Sequence, residues 1–437
     1  MPEALVADVE TIADYWQRKR AEVALMRELC GVAEDGWPTG GAELLAEKQR
    51  LRARILARAT LDHPEHTESN LTGGSEQTVG RARVAYSYLR WDGRWSSRRP
   101  AEEIYPPGDA PWPRTISIGL LTSSGMAAVS ATLTALDRLV PAGTRLFIGQ
   151  GSYFETTTFA RGYLHNLQAP PERVGAEAGD VVLLDSITGT DWPAIFADRP
   201  LDPLTALILD TTCYDASSPR IAAIVARATA DGVPLILVRS HIKLDCLGSE
   251  HGRLGSILLV LPRSASRARF SFARKLRREI LDVLRLTGGA PFTPAQLFPP
   301  TSDPALLERY QRLNQRRNER LVASNARAVA AMAAAAHPTT FVEDFHHQLF
   351  FKIRTFLGDP ARVRGHGDDL LARLRDAGLF ALYAPSFGYD FIAVTLIVYA
   401  QKRAELRIAL PDLATEDVDR FAAVIREWAP SLAPWER

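Results

Sequence analysis

The chain has 437 residues, 46% of them hydrophobic, enough for at least one large buried core and more than one ordinary domain. Its 52 Lys and Arg against 51 Asp and Glu leave a net charge of +1, which argues against nucleic acid or an anionic membrane as the main partner. Cys30, Cys213 and Cys246 have neither metal-ligand nor disulfide spacing, as expected in a reducing cytoplasm, and the longest apolar runs are strand-sized rather than membrane-spanning.

Glu3, Asp8 and Glu10 precede any apolar core, which is not the pattern of a signal peptide. From Glu3 to about Leu29, Leu5, Val6, Val9, Ile12, Ala13, Trp16, Val23 and Met26 recur at helical spacing, and Ala42 to Ala59 repeats the pattern with abundant Arg and Glu. Two amphipathic helices are therefore predicted in an N-terminal extension, residues 1–80. Asp62 to Gly80 is polar and carries glycine, so it reads as a loop, with His63 and His66 in solvent. Arg83 to Pro100 interleaves aromatic and basic residues as a surface arm.

A large α/β domain is expected over residues 81–300. Pro113 to Leu121 reads as a strand, and Thr122, Ser123, Ser124, Gly125 and Met126 open a helix, Ala127 to Leu139. The first amides of a helix have no intrahelical partners and face the positive end of the dipole, so this turn suits a phosphate; the same residues also make a plain N-cap. Strands at Arg145–Ile148, Asp180–Leu184, Leu204–Leu209, Pro234–Val238 and Ser256–Val260, with helices from Glu155 and Pro219, describe a buried, mainly parallel central sheet. Ligand groups gather at the carboxyl ends of such strands, where Tyr153, Asp185, Asp210 and Lys243 fall. The basic run Arg263 to Arg278 reads as a solvated helix face. From Thr301 a long helix with an alanine run leads into alternating residues Thr339 to Thr355, then helix, strand and helix: a smaller C-terminal α+β domain, residues 301–437.

The apolar run Val233 to Val238 is followed at once by Arg239, Ser240, His241, Ile242 and Lys243, where no core strand would continue. A lysine in such a place either snorkels to solvent or is desolvated toward the neutral amine that forms Schiff bases with carbonyl compounds. Asp210 closes another apolar strand, TALILDTT. Lysine, carboxylate and phosphate cradle together fit pyridoxal phosphate, which needs an aldehyde partner, an anion at its pyridinium nitrogen and a phosphate site. A carboxylate about 4 Å from that pyridinium contributes roughly 4 kcal/mol at an effective dielectric of about 20.

On these residues the chain resembles the fold-type-I pyridoxal-phosphate enzymes, and among them the cysteine and methionine metabolism family of cystathionine synthases, cystathionine lyases and methionine lyases. SSGMAAVSATLTAL is similar to the family's Ser-Gly-Met phosphate loop, which assigns Ser124, Gly125 and Met126 to the phosphate. VRSHIK resembles its lysine segment, which implies Ser240 on the phosphate and Lys243 as the cofactor lysine. LILDTT resembles its Asp-Asn-Thr strand, giving Asp210 the ring nitrogen and bringing Thr212 to the cofactor. Tyr153, in GQGSYFETTTF, corresponds to the tyrosine stacked on the ring and is expected to assist the leaving group. Tyr88-Leu89-Arg90 resembles the Tyr-x-Arg arm that reaches the neighbouring subunit's phosphate, implying a homodimer or homotetramer with shared sites. Ser386-Phe387-Gly388 resembles the family's Ser-Leu-Gly, and LRIALPD carries Arg407 where the substrate carboxylate is gripped.

The likeness covers residues 80 to 437, with departures. The family's Glu-Ser-Pro-Thr-Asn-Pro strand reads Asp185-Ser186-Ile187-Thr188-Gly189 here, with Asp185 left to meet the substrate. Ile242 replaces a phosphate-binding threonine, and LDCLGSEHG replaces Tyr-x-x-Gly-His-Ser after the lysine. The resemblance implies a cytoplasmic lyase or transferase that eliminates or replaces a leaving group at Cγ, or Cβ, of an amino acid. Transamination or decarboxylation with the same cofactor is the alternative, and a silent scaffold is a third reading, against which Lys243, Asp210 and Arg407 stand together. Tyr86, Tyr88, Trp91 and Trp95 on the arm would suit a cationic γ-substituent such as the sulfonium of S-adenosylmethionine, set against a homoserine ester or a thioether.

Overall fold

The computed structural model describes residues 10–33, 36–61, 75–86, 100–105, 115–149, 152–170, 177–185, 200–290, 303–335, 341–343, 349–354, 360–399 and 403–432. Helix α1 (Ile12–Cys30) begins at a capping box, in which the Thr11 hydroxyl accepts the Asp14 amide and the Asp14 carboxylate accepts the Thr11 amide. It ends on Gly31 at φ 64°, and α2 (Gly41–Leu61) follows. Strands β1 (Ser75–Val79) and β2 (Ala82–Tyr86) pair antiparallel, where polar composition had predicted a loop over the first of them. Gly80, at φ 64°, supplies the left-handed residue that so tight a reversal needs.

Beyond α3 (Pro100–Ile104) come β3 (Thr115–Thr122), α4 (Gly125–Leu139), β4 (Thr144–Ile148), α5 (Phe154–Gly162), β5 (Leu167–Gln168), β6 (Val181–Asp185), β7 (Ala206–Asp210), α6 (Pro219–Ala230), β8 (Leu235–Ser240), β9 (Gly255–Pro262) and α7 (Arg267–Thr287). Seven of these strands form one sheet in the order β3-β9-β8-β7-β6-β4-β5. All neighbours from β8 to β5 are parallel, and β9 runs antiparallel between β3 and β8. The sheet is mainly parallel, as the uninterrupted apolar runs VVLLD and ALILD indicate: covered on both faces, they have no solvent side to alternate toward. Leu207 and Leu209 join Val23, Met26, Leu51 and Ile224 in one core layer, so α1, α2 and α6 cover one face. Ala206 and Ile208 join Leu133, Leu136 and Ile280, so α4 and α7 cover the other.

The chain continues as α8 (Pro304–Ala335), β10 (Phe341–Glu343), β11 (Phe351–Arg354), α9 (Pro360–Asp376), β12 (Ala381–Tyr383), β13 (Ile392–Tyr399), β14 (Arg403–Ala409) and α10 (Thr415–Trp428). A five-stranded sheet runs β10-β11-β14-β13-β12, so three strands form between the last two helices where the sequence suggested one. Phe351, Leu370, Ile392, Leu406, Phe421 and Trp428 pack into its core. Among the described residues, no helix is long and apolar enough to cross a membrane.

Helix α8 buries a polar strip at helical spacing, Tyr310, Asn314, Arg317 and Asn318. Asn314 accepts the Leu247 amide at 3.2 Å, and Asn318 donates to the Leu244 carbonyl at 3.0 Å. Arg317 donates to the carbonyls of Gly388 at 2.7 Å and Tyr389 at 3.0 Å. One helix thereby fixes two loops, the one that follows β8 and the one between β12 and β13.

Candidate active site

Because β9 opposes both β3 and β8, those two strands point the same way, and Thr122, Asp185, Asp210 and Ser240 finish at one edge of the sheet. Ser124 caps α4 there, its hydroxyl accepting the Ala127 amide at 3.0 Å. The turn lies directly on β8: a Cβ added at Gly125 would stand 2.6 Å from the Ser240 Cβ and 3.3 Å from its hydroxyl. Gly255 is equally constrained, since a side chain would run into the Ser124 carbonyl. The Thr212 hydroxyl accepts the Ser240 amide at 3.0 Å, and Met126 lies with its sulfur 3.8 Å from the Thr156 hydroxyl. Ser124, Gly125, Ser240 and Thr212 therefore meet where helix α4 presents its free amides.

Lys243 sits in the turns beyond β8, with Gly388 packed beneath it: at φ 83°, a Cβ there would stand 2.8 Å from the Lys243 carbonyl oxygen. Its side chain is 23% exposed, and its ammonium lies 3.8 Å from the Glu250 carboxylate. Burial lowers the basicity of this amine, with the Glu250 charge opposing. One strand away, Asp210 accepts the Thr212 amide at 2.9 Å. Burial pushes the Asp210 carboxyl up, hydrogen bonds from Thr212 oppose, and no ion pair to it forms among the described residues.

Tyr153 precedes α5, and its amide donates to Asp185 at 2.7 Å, so Asp185 orients the tyrosine's backbone. Burial pushes the Tyr153 phenol up to about 12, helped by Glu155. Arg407 is 8% exposed, in the middle of the five-stranded sheet. One terminal nitrogen donates to the Pro385 carbonyl at 2.9 Å and the Thr395 hydroxyl at 3.3 Å, and its guanidinium stacks 5.1 Å from the Phe350 ring. Its Nε is buried with no hydrogen-bond partner among the described residues. Such an orphaned donor on a cation suits a carboxylate ligand. Ser386 is also buried, and it opposes the rise that burial imposes on the Tyr389 phenol.

Beneath this layer lies a buried polar chain. Arg239 grips Asp245 with two nitrogens at 2.7 Å, Asp245 bonds His241 Nδ1 at 2.7 Å, and His241 Nε2 meets the Ser256 hydroxyl at 2.8 Å. Ser256, His241 and Asp245 have the connectivity of a hydrolase triad, yet all are sealed from solvent and Arg239 occupies the aspartate. Their role is to brace the turns that carry Lys243.

Tyr88, Arg90, Trp91, Trp95 and Gly189, and the side chain of Tyr86, lie outside the described residues. Sequence reasoning passed over Glu250, which the fold brings to 3.8 Å from Lys243, and Tyr389, on which Glu250 bears. The one signal for Glu250 was its place in LDCLGSEHG, where the chain departs from the family it resembles.

No protein-family model matches the sequence, and a search of curated proteins finds no match. Solved structures do match in three dimensions. An aromatic-amino-acid aminotransferase from Burkholderia pseudomallei, covalently bound to pyridoxal phosphate, is 15% identical with a TM-score of 0.50, over 98% of this chain and 100% of that one. An aromatic amino acid aminotransferase from Burkholderia cenocepacia is 15% identical with a TM-score of 0.50, over 87% and 88% of the two chains. A methionine gamma lyase from Micromonospora echinospora is 15% identical with a TM-score of 0.48, over 86% and 98%. The chain has the fold-type-I architecture of the pyridoxal-phosphate-dependent transferases.

Proposed function

We propose that this chain is a pyridoxal 5′-phosphate-dependent enzyme that eliminates or replaces a leaving group at Cγ, or Cβ, of an amino acid. The observation that carries the reading is the convergence of Lys243, Asp210 and the Gly125–Ser240 contact at one sheet edge, with the orphaned Nε of Arg407 in the same region. Residues and cofactor fit on three counts. Gly125 leaves a cradle that a Cβ would close, Asp210 is a carboxylate desolvated with no ion-paired cation among the described residues, and Lys243 is an amine that burial inclines to its neutral form.

In this reading Ser124, Gly125, Met126 and Ser240 would hold the phosphate, Asp210 with Thr212 would serve the ring nitrogen, Tyr153 would pack against the ring and Lys243 would be the amine for the aldehyde. When bound, the cofactor supplies an aldehyde for amines and an electron-withdrawing ring. Arg407 grips the substrate carboxylate, while Phe350 and Phe387 exclude water from the guanidinium and strengthen that contact. Asp185 fixes the Tyr153 backbone. At neutral pH the Tyr153 phenol keeps its proton, so it serves as a donor to a departing group. Lys243 moves protons on the side of the substrate it faces. The likeness of Tyr88-Leu89-Arg90 to a subunit-spanning arm supports assembly with a second copy, and the cysteine pattern supports the cytoplasm.

The test is borohydride reduction of the protein with pyridoxal 5′-phosphate and peptide mapping, followed by offering O-acetylhomoserine, a cystathionine-type thioether and S-adenosylmethionine separately. An adduct on Lys243 and loss of a side-chain group from one of the three is expected. An adduct on another lysine, such as Lys275, or amino transfer without loss of a side-chain group, would overturn the assignment.

A further inference from the structure

Glu250 has φ 55°, and with Leu247 at φ 48° it is one of two non-glycine residues in the left-handed region among those described. Both belong to the turns that follow Lys243. A glutamate gains nothing from that backbone, which glycine would adopt without cost, so its side chain is the reason to look for a role. The carboxylate stands 3.8 Å from the Lys243 Nζ, its side chain 22% exposed, and its charge also bears on Tyr389, whose phenol burial and then Glu250 push up. Tyr389 in turn stacks 4.8 Å from Phe391, and its backbone is pinned by Arg317. Glu250 is therefore placed at ion-pair distance from the lysine by a backbone that favours glycine.

We propose that Glu250 is a positioning residue of the site, the counter-ion that keeps a proton on Lys243 whenever the lysine nitrogen carries one. The inference rests on the reading of Lys243 as the cofactor lysine. The site needs such a group because Lys243 is largely desolvated and the other acidic groups that bear on it among the described residues, the thiols of Cys213 and Cys246, are buried, while the Arg407 cation repels an ammonium. Glu250 itself faces Lys243, Tyr389 and Cys246. A separation of 3.8 Å is an ion-pair distance, and a small torsion closes it to a hydrogen bond.

The experiment follows, by absorbance, the rate at which cofactor-free protein attaches pyridoxal 5′-phosphate between pH 6 and 10. Attachment needs the neutral amine, so the rate rises through a midpoint set by Lys243. Glu250→Gln removes the charge and is expected to lower that midpoint by about one pH unit, and Glu250→Asp to restore most of it. Glu250→Gly, which relaxes the backbone as well, is expected to shift it equally and guards against a misfolded Gln variant. Equal midpoints in the wild type and the Gln and Gly variants overturn the inference. A wild type that attaches no cofactor overturns instead the reading on which it rests.

Discussion

The ammonium of Lys48 lies 2.6 Å from the main-chain carbonyl oxygen of Leu247, tying helix α2 to the turns that carry Lys243. The same ammonium pairs with Glu22 at 2.5 Å and Asp390 at 2.7 Å, and Lys19 pairs with Asp390 at 2.7 Å and Asp412 at 2.8 Å. Arg18 reaches Asp412, and Arg317 reaches Asp390 at 3.4 Å. Burial opposes the Asp390 charge, yet the neighbouring lysines and Arg317 hold its carboxyl well below the usual range. The N-terminal helices, outside the family resemblance, thus clamp both loops of the candidate site.

Removing one member should cost more than its own bonds. Lys48→Met would leave Glu22 and Asp390 partly uncompensated in a dry interior, a loss of about 3–5 kcal/mol. Urea unfolding of the variant should show the midpoint falling accordingly at an unchanged slope. A change below about 1 kcal/mol would mean that water reaches the cluster.

Gly125 offers a sharper probe of the cradle. The methyl of Gly125→Ala would meet the Ser240 Cβ at 2.6 Å, a contact that can relax only by moving α4 or the end of β8. Overpacking of this kind costs about 1–3 kcal/mol. If it falls on the bound state, the dissociation constant for pyridoxal 5′-phosphate rises roughly ten- to a hundredfold. Equilibrium titration of cofactor absorbance measures it, and unchanged affinity would place the phosphate elsewhere.

Arg407→Lys keeps the charge but loses the planar fork and the Nε donor. Truncating one partner of a buried, hydrogen-bonded charge pair costs about 2–5 kcal/mol, so KM for the amino acid should rise at least thirtyfold, with cofactor affinity little changed. Equal losses in both would assign Arg407 to the cofactor or to the fold.

Much of the sheet was legible because strands covered on both faces have one pattern, an apolar run ended by a polar group. Asp185, Asp210 and Ser240 announce themselves in that way. Glu250 does not, since its approach to Lys243 depends on two left-handed residues in aperiodic turns, and Tyr389 comes from a distant loop. Lys19 and Lys48 are equally hidden in the sequence, for a related reason. On amphipathic helices charged residues read as the wet face, and only the fold reveals that Asp390 and Asp412 wait behind them.

The last expectation concerns acid. His251 is sealed between the Ser249 hydroxyl at 2.7 Å and the Tyr310 hydroxyl at 3.1 Å, and burial, aided by the charges of Lys48 and Arg52, lowers its pKa to about 3. Burial also lowers His241, with Arg239 acting in the same direction and Asp245 opposing. In the unfolded chain both titrate near 6.5. Their folded values lie below that, so the stability they permit is complete above about pH 6.5 and is lost as the pH falls toward the folded values, because only the unfolded state takes up the protons. Each contributes a slope of up to about 1.4 kcal/mol per pH unit. The acids Asp245, Asp390 and Asp412 are held low and add their own loss only below about pH 4. Asp210, raised by burial, works in the opposite sense, but equally in wild type and variant. Denaturant unfolding at pH 6.5, 5.5 and 4.5 should therefore show a shallower pH dependence for His251→Gln than for the wild type, by about 1.4 kcal/mol per unit. Parallel curves would mean that His251 binds its proton in the folded protein and that the pocket beneath the Lys243 turns is wet.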